Sequence, residues 1–251
     1  MKLFFNRLYV GYALLVFSIT FLILFPWFLL GIYYPSASRV VLKVNYWWAI
    51  VYFFLIGLPI GEEWRFKRDG RQNYIFCSNH FSYLDIPVMG FVHSPCVFVG
   101  KSSIAKVPLF GFMFRKLHIM VDRERARSRA EVYKRAAIAL DERKSVIIFP
   151  EGGIKVLHSP KMTPFKDGAF RMAIEKQIPI VPVTIPYNWI ILPDDNRFVI
   201  RFKRPKIVLH EPIDTKGMTI DRVNELKDEC FKVIDEELRS RFPDEFAKET
   251  T

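Results

Sequence analysis

Two side chains in the run Asn79-His80-Phe81-Ser82-Tyr83-Leu84-Asp85 can do acid–base chemistry together. A carboxylate that accepts the Nδ1 proton of a histidine fixes the tautomer and leaves Nε2 free to take a proton from a hydroxyl. Partners on one face of a regular helix sit three or four residues apart, and His80 and Asp85 are five apart. The spacing therefore predicts His80 in a turn and Asp85 in the opening of the next helix. A histidine beside an aspartate is more often structural than catalytic. The position of this one, just after a β-prone run at Tyr74–Ser78, favours function, because open α/β sheets place ligands beyond their strand ends.

Two further groups also follow β-prone runs. Phe149-Pro150-Glu151-Gly152-Gly153 ends the apolar run Ser145–Phe149. Its glycines allow a ligand close to the backbone, and Glu151 can orient a hydroxyl or satisfy backbone N–H groups. An ordinary strand-exit turn is the competing reading. Asp122-Arg123 follows His118–Val121, and an arginine fork suits a phosphate. Arg125 and Arg127 read as a solvated charge run. Lys101 and Lys106 lie in a segment of the same sign.

The elements that would position these groups alternate along the chain. Strands are expected at Tyr74–Ser78, Val97–Gly100, His118–Val121, Ser145–Phe149, Ile178–Ile185, Phe198–Phe202 and Lys206–Leu209. Helices are expected at Ser128–Glu142, Pro164–Lys176 and Asp221–Arg241, the last with Thr219 or Asp221 as its cap. Strands alternating with helices predict an α/β fold with a mostly parallel sheet flanked by helices.

Ahead of this lies a different composition. Leu8–Tyr33 carries no charge and as a helix measures about 39 Å, more than the roughly 30 Å hydrocarbon core of a bilayer. Pro26 should kink or end that helix. The run Tyr46–Ile60 is shorter and would span marginally or dip into one leaflet. Trp27, Tyr33, Tyr34, Trp47 and Trp48 bracket the turn between the two runs, as residues at a headgroup boundary do. A cleavable signal peptide is disfavoured by the length of the first run and by the second that follows. The expected organisation is a membrane-embedded two-helix hairpin over 1–62 and an α/β domain over 63–251. Lys2 and Arg7 before the hairpin, and Arg65, Lys67, Arg68 and Arg71 after it, put both flanks and the domain in the cytoplasm.

Composition agrees with a lipid surface. Of the 251 residues 51% are hydrophobic, 24 are Phe, and the net charge is +11. Such a chain attracts anionic headgroups or acidic substrates. No nucleic-acid signature is present. Cys77, Cys96 and Cys230 fit no disulfide or zinc framework and read as buried. His93, His118, His158 and His210 have no evident partner, and no metal is expected.

Taken together, the blocks resemble the glycerolipid acyltransferases, best known as 1-acylglycerol-3-phosphate acyltransferases. The resemblance rests on Asn79-His80…Asp85, Gly111…Ile119-Met120-Val121-Asp122-Arg123, Phe149-Pro150-Glu151-Gly152 and Ile180-Val181-Pro182-Val183, in the family's order. Phe165-Lys166-Asp167-Gly168-Ala169-Phe170 fits the family's usual link. The match covers roughly residues 74–186. It implies acyl transfer from acyl-CoA or acyl-ACP, as co-substrate and with no cofactor, to the sn-2 hydroxyl of lysophosphatidic acid in a membrane. His80 would be the base and Asp85 its holder. Arg123 would contact the acceptor phosphate, with Lys101 a weaker candidate. Glu151 and Gly152 would shape the acceptor site, and Pro182 would support it from behind. One departure stands out: Gly153-Ile154 replace the family's usual Thr or Ser and then Arg. Lys155 follows one place later, as a point charge rather than a fork. Another lysolipid acceptor, such as a lyso-aminolipid, therefore stays open. From other classes, a lipid hydrolase using Ser82 lacks G-x-S-x-G, and a non-catalytic lipid-binding module leaves His80, Asp85 and Glu151 unexplained.

Overall fold

The computed structural model describes residues 2–122, 125–154, 159–195, 197 and 199–247. The chain opens with α1 (Lys2–Tyr33) and α2 (Ser38–Leu55), which pack against each other. The α/β part then runs β1 (Gly61–Trp64), β2 (Ile75–Ser78), α3 (Asp85–Val88), β3 (Cys96–Lys101), α4 (Phe110–Leu117), β4 (Ile119–Val121), α5 (Ala126–Asp141), β5 (Ser145–Ile148), α6 (Gly168–Lys176), β6 (Ile180–Thr184), α7 (Asn188–Ile191), β7 (Lys206–Leu209), α8 (Val223–Arg241) and α9 (Pro243–Ala247). The seven strands form one sheet in the order β1-β7-β6-β2-β5-β3-β4. Every neighbouring pair is parallel except β6 and β7.

Side chains alternate across a strand, and the two faces of this sheet bury different sets. Ile75, Cys77, Val146 and Ile180 face helices α5, α6 and α8, against Ala136, Phe170, Leu226 and Ile234. Phe76, Ile147, Val181 and Val183 face the other way, against Phe53 and Ile56 near the end of α2 and against Val88 and Met89 of the α3 region. The N-terminal helices therefore complete the core of the α/β part. Parallel pairing also brings the exits of β2, β3, β4, β5 and β6 to one edge of the sheet. The sequence blocks at His80, Lys101, Asp122, Glu151 and Ile185 meet there because of that pairing.

Four expectations need correction. Pro26 lies inside α1 and does not end it. Phe21 and Phe28, on either side of the proline, are buried with Val41 and Met113, so tertiary packing holds both halves of the helix in place. The second helix begins at Ser38, well before the apolar run, and takes in Arg39 and Lys43. Val199–Phe202 forms no strand; Phe198 lies outside the described residues. This segment is held instead by Asn6, whose amide donates to Ile200 O (2.7 Å) and accepts from Ile200 N (2.9 Å), and by Arg201 N donating to Ile191 O (2.7 Å). Neither Thr219 nor Asp221 caps α8. A 3₁₀ turn at Ile220–Arg222 leads into it with Arg222 at the cap position and no side-chain cap bond.

The edge strand β1 was not anticipated. It pairs with β7 through an ionic cluster in which Glu63 meets Arg65 (2.9 Å) and Lys206 (2.5 Å), and Arg65 meets Glu237 of α8 (2.6 Å). His210 sits beneath this cluster. Thr184 Oγ1 lies 2.8 Å from its Nε2, and the Arg65 guanidinium donates to its Nδ1 at 3.2 Å. Burial, reinforced by that guanidinium, lowers the His210 pKa to about 4. Burial alone does the same at His118. Between pH 6.5 and 4 the unfolded chain thus binds protons that the folded protein refuses, so stability falls as pH drops through that window. Urea midpoints should show this loss, and His210→Gln should make it shallower without abolishing the His118 share. An unchanged slope in the variant would mean that His210 is not held neutral by its surroundings.

Candidate active site

β2 ends at Ser78, and the next turn carries His80 before α3 opens on Asp85. The five-residue spacing closes into a contact: His80 Nδ1 lies 3.0 Å from Asp85 Oδ2. A carboxylate only accepts, so Nδ1 is the donor in this contact. Asp85 Oδ2 also accepts the backbone N–H groups of Phe81 (2.7 Å) and Ser82 (2.9 Å). Its other oxygen accepts the Asn188 amide at 2.9 Å. The Asp85 side chain is 0% exposed, and four donors replace the water it has lost. His80 is 7% exposed and stacks on Phe149, with ring centroids 4.0 Å apart and planes at 20°. One contact thus fixes the direction of the imidazole and the other fixes its plane.

Glu151 completes the turn after β5. Its Oε1 accepts the backbone N–H of His80 at 2.8 Å, and its Oε2 accepts the N–H (2.9 Å) and the hydroxyl (3.1 Å) of Thr163. Burial raises its pKa against the pull of those donors. Of its two readings, Glu151 takes the backbone-satisfying one here: it clasps the His80 turn to the segment around Thr163. Gly152 has φ +79°, in the left-handed region that favours glycine. A Cβ there would lie 2.5 Å from Lys166 Nζ.

The other expected residues fall into three groups. Pro182 lies in β6 opposite Cys77 of β2, and its carbonyl accepts His210 N at 3.0 Å. It is part of the sheet behind the His80 turn and does not touch His80 through any side-chain hydrogen bond. Lys101 is exposed at the end of β3, opposite Val121 of β4. Arg123 and Lys155 lie outside the described residues.

The geometry adds residues that the sequence left without a role. Asn79 pairs with the backbone of Ile185 in both directions, donating to its O at 2.9 Å and accepting from its N at 2.8 Å. That tie joins the exits of β2 and β6. Ser82 Oγ donates to Leu192 O (2.6 Å) and accepts Leu84 N (3.2 Å), so the hydroxyl is committed to the turn. Asn188 is fully buried, and its Oδ1 has no hydrogen-bond partner among the described residues. The one signal for Asn188 in the sequence is its place a few residues beyond the Ile180–Val183 block, too weak to single it out.

The chain is similar to known acyltransferases in sequence and in fold. A model of the family described as Acyltransferase matches residues 62–186. The 1-acyl-sn-glycerol-3-phosphate acyltransferase of Haemophilus influenzae is 30% identical over 203 residues, covering 77% of this chain and 80% of that protein. The human 1-acyl-sn-glycerol-3-phosphate acyltransferase alpha is 31% identical over 179 residues, or 70% of this chain and 62% of that protein. An uncharacterized acyltransferase of Schizosaccharomyces pombe is 30% identical over 174 residues, 65% and 62% of the two chains. Against several such relatives the match spans less than two thirds of their length, down to 39% for one from Arabidopsis thaliana. The crystal structure of a 1-acyl-sn-glycerophosphate (LPA) acyltransferase from Thermotoga maritima superposes with a TM-score of 0.80 over 96% of this chain and 97% of that one, at 22% identity, and shows the same fold.

The Asn188 contact can be probed directly. Asn188→Asp sets a second carboxylate beside Asp85, and two such groups in one buried site raise the pKa of the pair. The variant should be less stable than the parent by a few kcal/mol at pH 8, on the order of the cost of an unpaired buried charge. That gap should narrow toward pH 5 as the pair takes up a proton. Denaturant midpoints at both pH values measure it, and a gap independent of pH would argue against the contact.

Proposed function

Because this chain belongs to the acyltransferase family, a family of enzymes, we propose that it moves a fatty acyl group from acyl-CoA or acyl-ACP to the sn-2 hydroxyl of lysophosphatidic acid, giving phosphatidic acid. The observation that carries this reading is the buried His80–Asp85 pair, in which the carboxylate holds the imidazole by Nδ1. His80 Nε2 takes the proton of the acceptor hydroxyl while its oxygen attacks the thioester carbonyl. Asp85 steadies the imidazolium that forms. The tetrahedral intermediate collapses, the C–S bond breaks, and the thiolate leaves with the proton returned by His80. The products are an ester and a free thiol, with no acyl-enzyme. Ser82 is unsuited to a covalent route, since its hydroxyl is engaged with Leu192 O and Leu84 N.

Lipid substrates fit the rest of the molecule. The helix from Phe4 to Tyr33 is long and apolar enough to cross a membrane. Leu15, Leu22 and Ile23 on it are exposed. In this reading α1 lies in the bilayer and the basic segment after α2 faces the cytoplasm. Between α1, α2, α4 and the β3 edge is an apolar cavity of about 310 Å³, lined by Phe17, Trp48, Ile86, Phe98 and Met113 among others. Its lining includes Ile86 and Pro87 of α3, the helix that opens on Asp85, and in this reading it offers room for an acyl chain.

His80→Ala should lower turnover by about 10²–10⁴-fold, the usual share of a positioned base, with the circular dichroism spectrum unchanged. Turnover of lysophosphatidic acid and acyl-CoA by protein in mixed micelles measures this; near-parental activity would overturn the mechanism. Gly90 lines the same cavity and a Cβ there meets only ordinary contacts, 3.5 Å from Ala49 Cβ. Gly90→Leu should fill part of the cavity and shift preference toward shorter acyl donors, read from a chain-length series. An unaltered series would place the chain elsewhere.

A further inference from the structure

A second, smaller cavity, about 160 Å³, opens beside the Glu151 turn. Its walls are mostly apolar, from Val99 of β3, Ile148 of β5, Tyr133 of α5 and Met172 of α6. Phe149, the ring on which His80 stacks, forms part of the wall. The charged side chain among the described lining residues is Lys166. Its backbone N–H donates to Pro150 O at 3.0 Å, which ties it to the turn. Its ammonium rests on the bare backbone of Gly152, where a Cβ would come within 2.5 Å of Nζ and 2.7 Å of Cε.

That ammonium has no carboxylate partner among the described residues. Its neighbour Asp167 is taken by Lys227 at 2.8 Å. Glu151 spends both oxygens on His80 N and on Thr163. A cation held over a glycine, without a carboxylate partner among the described residues, and on the Glu151 turn that bonds the backbone of His80, is arranged to meet an anionic group on a substrate. Lysine meets it as a compact point charge with freely rotating donors, which suits a phosphate monoester without demanding one orientation.

We propose that Lys166 is a substrate-binding residue whose ammonium, seated on Gly152, takes the phosphate of the acceptor lipid while the acceptor hydroxyl reaches His80. This rests on the acyl-transfer reading above. The glycine is part of the device, because a side chain at 152 would occupy the place of the ammonium. Acyl-CoA also carries phosphates, so donor and acceptor must be separated in the test.

Lys166→Met keeps the aliphatic stem and removes the charge. With acyl-CoA saturating, its KM for lysophosphatidic acid should rise about tenfold, a change of the size expected from losing one charge-assisted hydrogen bond. Its KM for acyl-CoA, with the acceptor saturating, should stay as in the parent. Lys166→Arg should recover part of the loss, and Gly152→Ala, which displaces the ammonium, should move the acceptor KM in the same direction as Lys166→Met. An unchanged acceptor KM in Lys166→Met, or a rise confined to acyl-CoA, would overturn the assignment. A binding arm without donor decides it independently of turnover. The parent protein should hold lysophosphatidic acid about tenfold more tightly than monoacylglycerol of the same chain, and Lys166→Met should hold the two alike. A parent with no such preference, or a variant that keeps it, counts against Lys166 even where catalysis fails for another reason.

Discussion

The carboxylate of Asp85 is the point on which the site depends. It is wholly buried, and it survives there because His80 Nδ1, Phe81 N, Ser82 N and Asn188 Nδ2 all donate to it. An ionised carboxylate without such donors would be costly in this interior. The same four bonds define the turn between β2 and α3. The tautomer of the histidine, the shape of the turn and the start of the helix therefore follow from one group. Removing it would orphan two backbone N–H groups as well as the imidazole, so structure and chemistry cannot be separated at this position.

Around that carboxylate, the exits of three central strands are tied together. Asn79 links the β2 exit to Ile185 beyond β6, and Glu151 links it to the β5 exit. Ser82 reaches Leu192 just past α7, whose residue Ile191 accepts Arg201 N. Ile200 in turn is held by Asn6 near the start of α1. The first turns of the apolar helix and the His80 turn thus share a short chain of packed, hydrogen-bonded segments. The N-terminal helices also bury Phe53 and Ile56 in the core of the α/β part and wall one side of the larger cavity. They belong to the folded unit and do more than attach it to a surface.

Two cavities, one beside α3 and one beside the Glu151 turn, differ in chemistry. The larger borders α3 and is bounded by the apolar N-terminal helices α1 and α2. The smaller borders the Glu151 turn and carries a single unpaired ammonium among its described walls. A substrate with an apolar tail and a phosphate needs both kinds of surface within reach of one base.

Much of this was legible in the residues themselves. The run Ser145–Phe149 read as a buried parallel strand because it is almost continuously apolar, and Ile178–Ile185 read as a strand. His80 and Asp85 read as a pair because their spacing fits a turn followed by a helix start. The uncharged stretch from Leu8 to Tyr33 read as a membrane-length helix from composition alone. What the sequence could not decide depends on contacts between distant segments. Pro26 argues locally for a break, yet packing of Phe21 and Phe28 against Val41 and Met113 holds α1 together. Val199–Phe202 has the alternation of a strand, yet Asn6, nearly two hundred residues away, claims its backbone. Gly61–Trp64 carries two adjacent glutamates and straddles the expected boundary between hairpin and domain, and becomes a strand because Lys206, Arg65 and β7 are beside it. Asn188 and Lys166 are ordinary polar residues in one dimension. Only the fold sets the first against the buried carboxylate and lays the second over Gly152, because local pattern encodes which face is apolar and when the chain turns, while the partner of a buried polar group is fixed by topology.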